Sequence, residues 1–127
     1  MKRTRLMWLI VVPALMALCV VLSGCSGTES NLNRLIVTMI NNAGQDTNMF
    51  ITPGEDFDPT NNLAPGESRT WDRRYAQAQA TRFITVNAGR GANIIDAALI
   101  EADFTNTRLH SYTATFAAGA VTVVQTN

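Results

Sequence analysis

The sequence predicts an all-β domain, a small antiparallel β-sandwich of about seven strands, behind an amino-terminal apolar segment that is not part of it. Three observations carry this. Apolar residues recur at every second position in short stretches, and turn-forming Gly, Pro and Asn residues interrupt those stretches every 8 to 15 residues or so. The chain of 127 residues is 46% hydrophobic and 16% charged, enough apolar surface for one core and too little charge for a disordered tail.

The first strand is read at residues 35–40, where Leu35, Val37 and Met39 alternate with Ile36, Thr38 and Ile40. Asn41-Asn42-Ala43-Gly44 turns the chain, and Met49 and Ile51 mark the second strand. A loop over 53–64 leads to Pro65-Gly66, where Pro presets φ and Gly accepts a positive φ, as a type II turn requires. Strands follow at 69–73 and 83–88, then a Gly89-Arg90-Gly91 turn. Residues 94–104 read as strand, although Ile95, Ala98, Leu99 and Ala102 also fit helical spacing and Asn93 with Asp96 could cap a helix. Residues 75–80 fit either a helical turn or an extended loop. The final hairpin is the plainest element: Tyr112, Ala114 and Phe116 share a face, Val121 and Val123 share another, and Gly119 lies in the loop between them. No internal repeat is visible.

The amino terminus has a different logic. Lys2, Arg3 and Arg5 precede an uncharged, mostly apolar run over 6–22, the order of a secretory signal. Pro13 interrupts that run, which is barely long enough to span a bilayer. It ends in Leu22-Ser23-Gly24-Cys25. This tetrapeptide closely resembles the lipobox of bacterial lipoproteins: an aliphatic residue, two small ones, then cysteine. The resemblance implies that Cys25 takes a diacylglyceryl group and becomes the acylated first residue, and that Leu22, Ser23 and Gly24 are what the signal peptidase recognises. Acyl chains then anchor the protein to a membrane without spanning it. Ser26, where inner-membrane lipoproteins tend to carry Asp, favours the outer membrane if the source has two. Residues 1–24 are thus read as signal peptide, 25–31 as lipidated cysteine and polar tether, and 32–127 as the domain.

Removing the leader changes the electrostatics and the cysteine chemistry. From residue 25 onward the chain has seven Arg, no Lys and ten acidic residues, a net charge of −3 that argues against nucleic acid as a partner. With Cys25 acylated and Cys19 discarded, no cysteine remains for a disulfide, and the core must hold the domain by itself. In outline the strand rhythm and the segment Asn61-Asn62-Leu63-Ala64-Pro65-Gly66 are similar to immunoglobulin-like and transthyretin-like modules, without the Cys and Trp pattern of true immunoglobulin domains.

Candidate chemistry is sparse. His110 is the only imidazole, expected at a strand surface or half-buried, and Ser111 beside it must face the other way, so the two form no dyad. Asp56, Asp58, Thr60, Asn62 and Glu67 have the spacing of ligands in a calcium loop. Asn61 replaces the glycine such a loop needs, so Ca2+ is a weak expectation and a solvated loop the simpler one. Arg69, Trp71, Arg73, Arg74 and Tyr75 form a basic, aromatic cluster suited to anionic glycans, lipid headgroups or a partner's carboxylates. The alternative places Trp71 in the core and pairs the arginines with the acidic loop.

The sequence therefore leads to a membrane-anchored, non-enzymatic binding or structural module of the cell envelope, its protein or glycan partner unspecified. A calcium-stabilised adhesion module, and a small glycan-active enzyme using Glu55, Asp58 or Asp96, are the alternatives.

Overall fold

The computed structural model describes residues Leu32–Asn127, which build eight strands in two four-stranded sheets. The signal segment 1–24, Cys25 and the tether 26–31 lie outside the described residues. The strands are β1 (Asn33–Asn41), β2 (Thr47–Thr52), β3 (Asn62–Leu63), β4 (Ser68–Tyr75), β5 (Thr81–Arg90), β6 (Asn93–Asp103), β7 (Leu109–Ala117) and β8 (Ala120–Gln125). One sheet has the order β4-β1-β7-β8 and the other β3-β2-β5-β6. All seven expected strands are present, and the eighth is the two-residue β3, too short to leave a pattern in the sequence. All pairs are antiparallel except β1 with β7, which run parallel from Arg34 opposite Leu109.

Alternation decides which side chains fill the space between the sheets. Leu35, Val37 and Met39 of β1 and Ala114 and Phe116 of β7 are fully buried, against Ile84, Val86, Ile100 and Ala102 from the second sheet. Burying each large side chain in this set contributes about 1.5–3 kcal/mol. Of residues 94–104 all but Phe104 are strand. The helical look of their pattern has a cause: opposite Ala88 and Gly89 the register shifts, Asp96 pairing with Ala88 and Ile94 with Gly89, so Ile95 is an extra residue. The bulge needs glycine on the facing strand, because a Cβ on Gly89 would come within 2.5 Å of the Asn93 carbonyl. Residues 76–80 form a turn rather than a helix.

Where the sandwich ends laterally, side chains satisfy backbone groups that no neighbouring strand reaches. On one flank Asp96 Oδ2 of β6 accepts from Val121 N of β8 at 2.7 Å. The Tyr112 hydroxyl donates to Glu101 O at 3.0 Å, and His110 Nε2 lies 2.7 Å from Asp103 O. On the opposite flank β2 outruns the short β3. There Glu55 Oε2 accepts from Ile51 N at 3.0 Å and Arg69 Nη2 donates to Met49 O at 2.7 Å. Such plugs remove sites where a foreign strand could add.

Candidate functional site

The basic, aromatic cluster of β4 divides by parity. Arg69, Trp71, Arg73 and Tyr75 share the face towards the second sheet and Arg74 takes the other face; Trp71 is only 7% exposed within the core, so the core placement of Trp71 is the one found. Arg69 leaves the cluster altogether: its guanidinium holds Glu55 through two bonds, at 2.6 and 3.1 Å, while capping Met49 O. The pairing of an arginine with the acidic loop is therefore realised at this position. Burial pushes the Glu55 carboxyl upward, but the bonds from Arg69 and Ile51 N and the charges of Arg69 and Arg73 outweigh it and hold the group below the ordinary glutamate range.

The remaining three, Arg73, Arg74 and Tyr75, line a cleft of about 240 Å³ together with Arg82 and Phe83 of β5 and Pro53-Gly54. Its floor is aromatic and its walls are cationic. The Arg82 guanidinium stacks over the Tyr75 ring at 4.7 Å, and that of Arg73 lies 5.9 Å from the Trp71 ring and 3.4 Å from Gly54 O. Arg82 Nε is buried without a hydrogen-bond partner, as is Arg69 Nε. Among the described residues no acidic side chain lines the cleft. Burial raises the Tyr75 phenol above its usual range, more than the nearby Arg82 and Arg73 charges lower it, so the ring stays a neutral platform and donor. The cleft can thus take one compact anionic group by forked guanidinium bonds, with apolar matter of the ligand against Tyr75 and the exposed Phe83.

Arg82 and Phe83 escape sequence reasoning because β4 and β5 belong to different sheets. The only hint is that Arg82-Phe83 is again an arginine next to an aromatic ring. A second hollow of about 310 Å³ lies close by, lined by Asn33, Gln77 and residues 104–108.

The acidic loop uses Asp58 and Glu67 to hold its own backbone. Asp58 Oδ1 caps the short 3-10 turn Pro59–Asn61, accepting from Thr60 N at 2.8 Å and Thr60 Oγ1 at 2.7 Å, which lowers its carboxyl below the ordinary range. Glu67 Oε2 accepts from Ala64 N at 2.8 Å, Asn62 pairs in β3 opposite Asn48, and Asp56 is exposed. Among the described residues no three His, Cys, Asp or Glu side chains are grouped together.

His110 is more buried than expected, 8% exposed, wedged edge-on against Phe104 and stacked on Tyr112, with Gln125 Nε2 at 3.2 Å from Nδ1. Ser111 pairs opposite Ile36 on the outer face of its sheet. The chain matches no known family model, no curated protein and no solved structure.

Proposed function

We propose that this chain is a bacterial envelope lipoprotein, anchored by acylation of Cys25, whose domain over residues 32–127 is a non-enzymatic binding module. The observation that carries the reading is Leu22-Ser23-Gly24-Cys25 closing an uncharged run after a basic start, followed by a short polar tether and then the first strand. Ser26 favours the outer membrane where the cell has two.

The employment of the side chains that could have served catalysis supports binding rather than turnover. Glu55, Asp96 and His110 are each bonded to backbone groups at a sheet edge, and Asp58 caps a turn. The cleft beside Tyr75 offers recognition groups, three arginines and an aromatic platform, with no carboxylate or imidazole in its lining to act as general acid or base.

Intact mass of the protein recovered from membranes tests the anchor. The expected result is a chain beginning at Cys25 and carrying diacylglyceryl, with Cys25→Ser retaining its leader. A mature chain without lipid would overturn the reading. Protease added to intact and to lysed cells then tells which side of the envelope the domain occupies.

A further inference from the structure

Charge is distributed along the strands, not evenly over the domain. At the end where β1 begins, the register brings together Arg34, Arg73, Arg74, Arg82 and Arg108, against Asp72, Glu101 and Asp103, a net charge of +2. Arg69 and Glu55 neutralise each other between the ends, and towards the other end lie Arg90 with Asp46, Asp56, Asp58, Glu67 and Asp96, a net charge of −4. Five of the domain's seven arginines therefore sit at the end from which the tether leaves. The arginine cleft opens at this same end, since Tyr75 pairs opposite Asn33 and Arg82 packs on Tyr75.

The length of chain between Cys25 and the first strand limits how far this end can lie from an acylated Cys25. From Cys25 to Asn33 the backbone spans at most about 28 Å when fully extended, so acyl chains on Cys25 hold the start of β1 close to the headgroups at high effective concentration. A positive end held there by a short tether, with a negative end behind it, is attracted and oriented by an anionic surface. Exposed Phe83 and Leu109 lie at the same end, 54% and 38% accessible, and add apolar contact where headgroups meet acyl chains.

We propose that the tethered end of the domain docks on anionic phospholipid, with the cleft of Arg73, Arg74, Arg82 and Tyr75 receiving a headgroup phosphate. This rests on the anchor reading above. It adds that the lipoprotein lies against its membrane in one orientation, presenting the acidic end and the outer strand faces to other partners. The recognition chemistry is a phosphate oxygen cluster held by forked guanidinium bonds from the arginines that line the cleft.

Hydrogen exchange on the full chain as isolated, reconstituted in phosphatidylcholine vesicles or in vesicles with about one-third phosphatidylglycerol, tests the docking. Segments 72–84 and 104–110 should exchange roughly fivefold or more slowly on the anionic vesicles only, and roughly 0.5 M salt should abolish the difference. Segments 42–46, 64–68 and 117–120 at the far end should not respond. Arg74→Gln with Arg82→Gln should remove the protection; if that variant does not fold, the salt reversal in the unmodified chain carries the test. Equal exchange on both vesicle types, or protection of the far end, would overturn the proposal. So would protection by inorganic phosphate in solution with none on anionic vesicles, which would assign the cleft to a soluble anion. Intact mass of the same sample separates the two readings. An unacylated chain with lipid-dependent protection defeats the anchor alone, and an acylated chain without it defeats the docking alone.

Discussion

The two flanks of the sandwich meet the same requirement, covering strand edges that carry unsatisfied backbone groups, by different chemistry. On the β2/β4 flank one ion pair covers the free edge of β2: Glu55 caps Ile51 N, Arg69 of β4 caps Met49 O, and the two hold each other at 2.6 Å. On the β6/β8 flank Tyr112, His110 and Asp96 each cap one backbone group, with no ion pair among them. The first arrangement concentrates its stability in one contact between charges whose side chains are 28% and 18% exposed; the second spreads it over independent contacts. The flanks should therefore fail differently, one steeply and with pH, the other in small additive steps.

The largest effect is expected from Arg69→Ala. It strands a mostly buried carboxylate and uncovers the Met49 carbonyl at once, which should cost about 2–3 kcal/mol. Urea unfolding at neutral pH measures it, and a loss below about 0.5 kcal/mol would mean that the pair is no more than an ordinary surface contact. Glu55→Ala should cost little more when added to Arg69→Ala, because both changes break the same contact.

A pH titration sharpens the contrast. Glu55 is held below its unfolded value, so its contribution is fully present above roughly pH 4.3, the ordinary glutamate value, and is lost as the pH falls through the lower folded value. Glu55→Gln should flatten the acid limb of the stability profile and leave its neutral slope alone. Tyr112→Phe should leave the shape of that profile unchanged and lower it by about 1 kcal/mol, the usual worth of one hydrogen bond. If Tyr112→Phe altered the acid limb as much as Glu55→Gln does, the division into a charged and an uncharged flank would not hold.

These flanks also show what the sequence can and cannot convey. Leu35, Val37 and Met39 are legible as core because burial on one side of a strand imposes a period of two, and all three are fully buried. In β2 that signal is missing: Phe50 is buried on the outer side by Phe57, their ring centroids 6.1 Å apart, so both faces are covered and nothing alternates. In β6 the extra residue at Ile95 shifts the alternation midway and imitates a helical spacing. Arg73, Arg74 and Tyr75 are neighbours in sequence, and their cluster is legible for that reason alone. Its fourth member, Arg82, arrives from the other sheet, and the inward turn of Trp71 depends on the register of β4 against β1, which no local pattern encodes.

The smallest expected effect is the most discriminating. Asp96→Ala removes the cap on Val121 N, but that amide lies at a sheet edge where water can replace the carboxylate, so the cost should be about 0.5 kcal/mol. What it should change is association. With its amide uncapped, β8 offers an open donor next to the exposed side chain of Val124, the start of a template for adding a strand. Sedimentation of Asp96→Ala against the unmodified chain should then show self-association rising with concentration while the unfolding midpoint hardly moves. Arg69→Ala, a far larger loss of stability, uncovers the Met49 carbonyl but leaves Ile51 N capped by Glu55 and β3 beside β2, so it should associate less as long as it stays folded. Equal self-association in the two variants would mean that marginal stability drives the aggregation. Association confined to Asp96→Ala would mean that this carboxylate is kept at the edge of β6 to close β8 to other strands more than to stabilise the fold.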